Sequence, residues 1–259
     1  MIKQYLIIAL VSFALLSGCK KSTGVTGPLD KTVAYVSFTN VNASGKTVNV
    51  FVDNGQLNNA AAVAPNATVT GTYLGVYPGD HLLEVKDNST TATFFHGNNI
   101  TVDAGSAYSY IVYDTLKAGR FQGILLNSDR MINPANPNSR VRFLNLSPKS
   151  PALDVWFIRR VGAVAKDSLK VFSNVPSLSS IAAPDATALS AYTDVASSLA
   201  AGAAGPGTLV TDYIIRLKLT GTNTIVNSSS GTTLVNGRTY TFFARGIFPS
   251  VGITSFFNN

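Results

Sequence analysis

The chain has 259 residues and a formal charge of +7, yet charged side chains make up only 13% of it, about half the usual share, with Ser, Thr, Asn and Gly in their place. The basic residues are scattered, Lys20-Lys21 and Arg159-Arg160 being the only adjacent pairs, so there is no stripe to follow a phosphate backbone and nucleic acid is excluded as a partner. A single cysteine, Cys19, excludes both a disulfide framework and a zinc–thiolate centre, which leaves packed cores as the source of stability.

At the start, Lys3 precedes the unbroken apolar run YLIIALVSFALL (5–16), which reads as a secretory signal over residues 1–18. A helix needs about 20 residues to cross a bilayer, so a permanent span is the weaker alternative. The order Leu16-Ser17-Gly18-Cys19 resembles a bacterial lipobox. That resemblance implies cleavage before Cys19, lipidation of its thiol and acylation of the new amino terminus. The alternative is a free thiol in an ordinary secreted protein. One acyl chain binds membranes only marginally, at about 10⁴ M⁻¹, whereas two or more hold a protein stably. Lys20 and Lys21 add attraction to anionic headgroups. Residues 19–31, broken by Gly24, Gly27 and Pro28, form a flexible tether. The expected location is the cell envelope, on the outer membrane, with its periplasmic or surface side left open.

From residue 32 the period is two. Strands are predicted at 33–41, 47–53, 68–74, 81–86, 91–102, 107–114 and 121–126, punctuated by Asn54-Gly55 as a primed hairpin turn and by Pro78-Gly79. The stretch NSDRMINPANPNS is polar, carries two prolines and reads as a linker over 129–139. Beyond it the pattern repeats. VSFTNVNASGKTVNVFV (36–52) aligns without a gap on VRFLNLSPKSPALDVWF (141–157), and VDAGSAYSYIV (102–112) aligns on LVNGRTYTFFA (234–244). The second unit is longer between these two matches, and the Ala-, Gly- and Ser-rich residues 180–208 are the candidate insertion, read as a long loop with a short helical turn around 188–200. No segment shows an amphipathic helical stripe. The fold class is therefore all-β: two tandem immunoglobulin-like antiparallel β-sandwich domains, at 32–128 and 140–259.

The repeated Gly-x-x-Tyr ending in Tyr108 and in Tyr240 resembles the tyrosine corner of immunoglobulin-like domains, where the hydroxyl bonds back to nearby backbone. The stretch from Arg140 to Phe157, with Asn145, Ser147-Pro148 and Ala152 to Trp156, resembles the opening of a bacterial extracellular repeat, domain of unknown function 4397. The first unit keeps Asn40 but has Asn42-Ala43 for Ser-Pro and Asn49 for the Asp, as a more divergent copy would. YLGVYPGDHLLEV (73–85) and ILLNSD (124–129) are similar to later parts of such repeats. The resemblance implies export, often with a lipid anchor, and names no activity.

Catalytic constellations are scarce. His81 and His96 are the only histidines, and no Ser sits in a G-x-S-x-G elbow. Asp154, Asp185 and Asp212 are spread out, so carboxylates capping turns and keeping strand edges soluble are the reading preferred to glycoside hydrolysis. The run from Asp53 to Asn59 carries oxygen ligands around a Gly but lacks the later Glu of a calcium loop. No catalytic residue, metal or cofactor is expected. Phe51 and Trp156 stand at equivalent positions, pointing away from the core, where an aromatic can stack on a sugar ring or anchor a protein. The expected function is a lipid-anchored, non-catalytic binding or structural module whose partner is a glycan or an envelope protein. An envelope hydrolase is the rival.

Overall fold

The computed structural model describes residues 31–58, 61–68, 73–88, 93–117, 120–128, 135–197 and 211–257. The expected signal, Cys19 and nearly all of the tether lie outside them, as do 129–134 and 198–210. Nearly all of the regular structure described is strand. In chain order the first unit contributes β1 (Ala34–Asn40), β2 (Val48–Val52), β3 (Gly55–Gln56), β4 (Ala67–Thr68), β5 (Leu74–Val76), β6 (Gly79–Asp87), β7 (Thr93–Val102), β8 (Ala107–Lys117) and β9 (Arg120–Asn127). The second contributes β10 (Asn138–Asn145), β11 (Leu153–Val161), β12 (Val164–Val175), β13 (Thr193–Ala196), β14 (Thr211–Leu219), β15 (Ile225–Thr232), β16 (Thr239–Arg245) and β17 (Gly252–Phe257).

Each unit is a sandwich of two sheets. In the first, β3-β2-β6-β7 faces β4-β1-β8-β9, and Val36, Phe38, Val50, Val85, Tyr110 and Val112 fill the space between. In the second, β12-β11-β14-β15 faces β13-β10-β16-β17 over Val141, Phe143, Val155, Phe157, Ile215 and Phe242. Alternation explains the choice of faces. Val48 and Val50 point inward while Asn49 and Phe51 point out, because successive strand residues lie on opposite faces.

Four strands break that alternation and are buried on both faces. β1 is buried at every residue, and so is β16 apart from Arg245. The cause is a third core between the units. Val41, Ile111, Tyr113, Ile124 and Leu126 on the back of one sheet meet Leu144, Leu146, Leu178 and Phe243 on the back of the other. The four sheets thus stack as one block of four layers. Burial there pushes the Tyr113 hydroxyl up to about 12.

The same strands carry the only parallel pairings among the described residues. β1 runs parallel to β8, with Val36 opposite Tyr108, and β10 runs parallel to β16, with Val141 opposite Tyr240. Parallel pairs belong in sheets covered on both faces, which is what the middle layers are. All other pairings are antiparallel.

Several local expectations change. The strand expected at 68–74 is two short pieces, β4 and β5, lying antiparallel along β1. The primed turn sits one residue earlier than Asn54-Gly55: Asp53 and Asn54 are its two left-handed residues, φ 49° and 67°, and Val52 faces Gly55. The linker is shorter, since β10 starts at Asn138. Within the expected loop at 180–208 there is a helix, α1 (Ala186–Ser190), and the strand β13, which pairs with β10. The helix starts where it does because the Asp185 carboxylate accepts from the Thr187 and Ala188 N–H groups at 2.9 and 3.2 Å. Ala186 and Leu189 then cap the core between the units. The segment closes a joint.

Candidate functional site

Trp156 lies at the middle of the outer face of the last sheet. On β11 its register partners are Lys170 on β12 and Arg216 on β14, and Lys218 stands one inward–outward repeat further along β14, opposite Asp154. The ring is half-buried, with the Lys218 Nζ 4.9 Å and the Lys170 Nζ 5.8 Å from its centroid. These are cation–π distances. Its indole Nε1 is buried and finds no hydrogen-bond acceptor among the described residues.

The charges around it do not cancel. Lys170 pairs with Asp154 at 3.3 Å, and Arg160 pairs with Asp212, Nε to Oδ1 2.8 Å. Arg216 reaches only the Ser228 hydroxyl, at 3.2 Å, and Lys218 has no carboxylate partner among the described residues. A flat aromatic with two uncompensated cations beside it is a surface that attracts anions. Asp154 is on the same outer side as Trp156 but buried. It accepts from the Asn174 N–H at 2.9 Å, from Lys170 and from Thr220, and these bonds hold its carboxyl below the usual range. Its work is to pin the irregular pairing between the start of β11 and the end of β12, where Asn174 is left-handed.

Phe51 occupies the matching place on the outermost sheet of the other unit, so the stack separates the two aromatics and puts them on opposite ends. The Lys86 Nζ lies 4.4 Å from the Phe51 centroid, but Glu84 neutralises it at 3.0 Å. That face carries no surplus charge at its aromatic.

Asn40 and Asn145 are both fully buried and organise the loop after the first strand of each unit. Asn40 donates to the Lys46 and Val63 carbonyls, both at 2.9 Å, and accepts from the Asn42 N–H. Asn145 donates to the Pro151 and Val175 carbonyls at 3.3 and 3.2 Å and accepts from the Ser147 N–H. The Tyr108 hydroxyl accepts from the Asp103 N–H at 3.0 Å, and the Tyr240 hydroxyl accepts from the Val235 N–H at 2.8 Å, each five residues back. Burial raises both tyrosines above their ordinary value.

His81 is held at both ends. Its Nδ1 lies 2.6 Å from the Asp53 carboxylate and its Nε2 lies 2.6 Å from the Tyr77 carbonyl. Both partners are acceptors, so the form that satisfies both is the protonated ring, and its pKa is raised, first by the Asp53 bond. Asp53 is lowered in turn, by His81 and then by the Leu82 N–H. The pair clasps the β2–β3 turn to the start of β6. His96 is on β7, and its side chain lies outside the described residues. Asp185 caps α1, and Asp212 is spent on Arg160. Among the described residues no three His, Cys, Asp or Glu side chains gather as a metal site needs.

A cavity of about 520 Å³ opens between β12 and β13, lined by Phe157, Arg159, Asp167, Leu169, Val195 and Tyr213 among others. Its charged groups pair with each other, Arg159 with Asp167, and the Tyr213 hydroxyl donates to the Ala196 carbonyl at 2.8 Å.

Sequence reasoning missed Arg142. It is 1% exposed and bridges the units, with Nη1 donating to the Asn127 carbonyl at 2.7 Å, Nη2 to the Ser128 hydroxyl at 3.3 Å and Nε to the Thr241 hydroxyl at 2.8 Å. Ser128 continues through Ser109 to Ser37, at 2.6 and 3.0 Å, so one hydrogen-bonded chain crosses both middle layers. The available signal was the pair of polar runs, Ser37 with Thr39 and Arg142 with Thr241, on strands whose other face is apolar. Such a face reads as solvated until a second sheet covers it.

No curated protein matches the chain. A family model does match, over residues 34–156, from the first residue of β1 to Trp156 in β11, and thus over the first sandwich and the opening of the second; that stretch is similar to the domain of unknown function DUF4397.

Proposed function

We propose that the chain is a lipid-anchored protein of the cell envelope, held at the outer membrane through Cys19, whose two sandwiches are tandem copies of one repeat and act as a non-catalytic binding module. The observation that carries the binding role is Trp156, half-buried on the terminal face of a four-layer block and framed by Lys170, Arg216 and Lys218. A side chain mounted on paired strands is held in place before a partner arrives, which lowers the entropy cost of binding. The anchor rests on Leu16-Ser17-Gly18-Cys19 after the apolar run. The repeat is supported by the matching registers Val36 to Tyr108 and Val141 to Tyr240. Of the two partner classes, an envelope protein and a glycan, the aromatic face favours the glycan.

The hydrolase reading has one observation behind it, the contact between His81 and Asp53. Chemistry speaks against it: an imidazole that donates from both nitrogens has no lone pair with which to act as a base. The test of the anchor is to compare the native chain with Cys19→Ala in membrane fractionation and in protease shaving of intact cells. The native chain is expected in the membrane fraction and the variant in the soluble fraction. Equal membrane retention of both would refute the anchor. Shaving of the native chain separates the surface from the periplasmic side.

A further inference from the structure

We infer that the outer face of the β12-β11-β14-β15 sheet binds acidic polysaccharide, its charged groups taken by Arg216 and Lys218 and one sugar ring stacked on Trp156. This rests on the glycan-binding reading above and deepens it. Charge selects the ligand class. Around Trp156 along β11 and its register partners the face holds four cations, Arg160, Lys170, Arg216 and Lys218, and two carboxylates, Asp154 and Asp212, each already paired with one of them. Arg216 and Lys218 remain, on one strand and one face, about 7 Å apart by strand geometry. A polymer carrying one carboxylate on each sugar presents charges at comparable intervals.

The ring is ready for the exchange such a ligand requires. Lys170 and Lys218 lie over Trp156 at distances where a cation–π contact at an open surface is weak. A carboxylate is the stronger partner for an ammonium or guanidinium. An acidic sugar therefore draws Lys218 off the ring, uncovers the indole and offers hydroxyls to the buried Nε1, which has no acceptor among the described residues. The matching face at Phe51 serves as an internal contrast, because Glu84 already neutralises its lysine. A bilayer fits poorly: insertion needs an aromatic that protrudes, whereas Trp156 is recessed within a flat sheet.

Trp156 is the sole tryptophan, so its fluorescence reports this face and no other. The full chain in non-ionic detergent is titrated with oligogalacturonate and with neutral oligosaccharides of equal length (maltoheptaose and laminariheptaose), and the Cys19→Ala chain without detergent is titrated with phosphatidylglycerol vesicles. The expected result is a saturable change in emission with oligogalacturonate alone, weakened as salt rises and weakened at least tenfold in Arg216→Ala/Lys218→Ala, which keeps Trp156. A Lys86→Ala variant at the opposite end should titrate like the native chain. An equal response to the neutral sugars would overturn the acidic specificity while leaving glycan binding standing. Silence with every sugar, or a response to vesicles alone, would overturn both.

Discussion

Replacing Ile111 by Ala tests whether the two sandwiches unfold as one body. Ile111 is fully buried on β8 and faces the core between the units rather than the interior of its own sandwich. Cutting an Ile back to Ala in such a place costs about 3 kcal/mol, from lost transfer energy and the cavity left behind. For a cooperative unit of this size that lowers the melting midpoint by about 6–12 °C. The assay uses two probes on one sample: far-UV circular dichroism, which sees both sandwiches, and the fluorescence of Trp156, which sees only the second. If the shared core couples the layers, both midpoints fall together although the substitution is in the first unit. A fluorescence midpoint that stays at the native value while circular dichroism develops an early step would refute the coupling.

The clasp at His81 gives a pH dependence of defined sign. His81 is raised above its ordinary value of 6.5, so its contribution is complete below that pH and is lost as pH climbs through the folded-state value; Asp53 is lowered from 3.8, so its contribution is present above that value and is lost as pH falls. Stability from the pair should thus be greatest between the two and should flatten in His81→Gln, as melting midpoints measured from pH 4 to 9 will tell. Tyr240→Phe strands the half-buried Val235 N–H behind a fully buried ring and should cost about 1–3 kcal/mol, whereas Tyr108→Phe, whose partner Asp103 is exposed to water, should cost below about 1 kcal/mol. Urea midpoints of the two variants, compared side by side, check the difference.

The strand pattern was legible because each sandwich has an interior made of alternate apolar residues. Val48, Val50 and the outward Phe51 could be placed from period two alone, and so could Leu153, Val155 and the outward Trp156. What surrounds Trp156 could not. Lys170 and Lys218 reach it through pairings set by irregular steps between β11 and β12 and by a strand that returns far along the chain. Alternation within one strand carries no information about either. The joint between the units was hidden for a different reason. Ser37, Ser109, Arg142 and Thr241 are polar residues of the kind that normally face water, and only the arrival of the second sheet turns them into a buried network. The residues from 180 onward read as a loop because short elements such as α1 and β13 owe their existence to tertiary partners, Asp185 at the helix start and β10 beside the strand.

The parallel pairings also bear on how the chain reaches this structure. In the first unit the paired residues are 72 positions apart, and in the second they are 99 apart, as Ser37 with Ser109 and Arg142 with Thr241 illustrate. Hairpins such as β11 with β12 can close early, since their ends are neighbours in sequence. β1 and β10 must instead wait for strands made much later, and the loop entropy of that closure comes before any reward from the contact. Folding should be slow for the chain's length and finished by its last strands. A chain cut short before β16 would keep β10 with one open edge, a template for pairing with the wrong molecule.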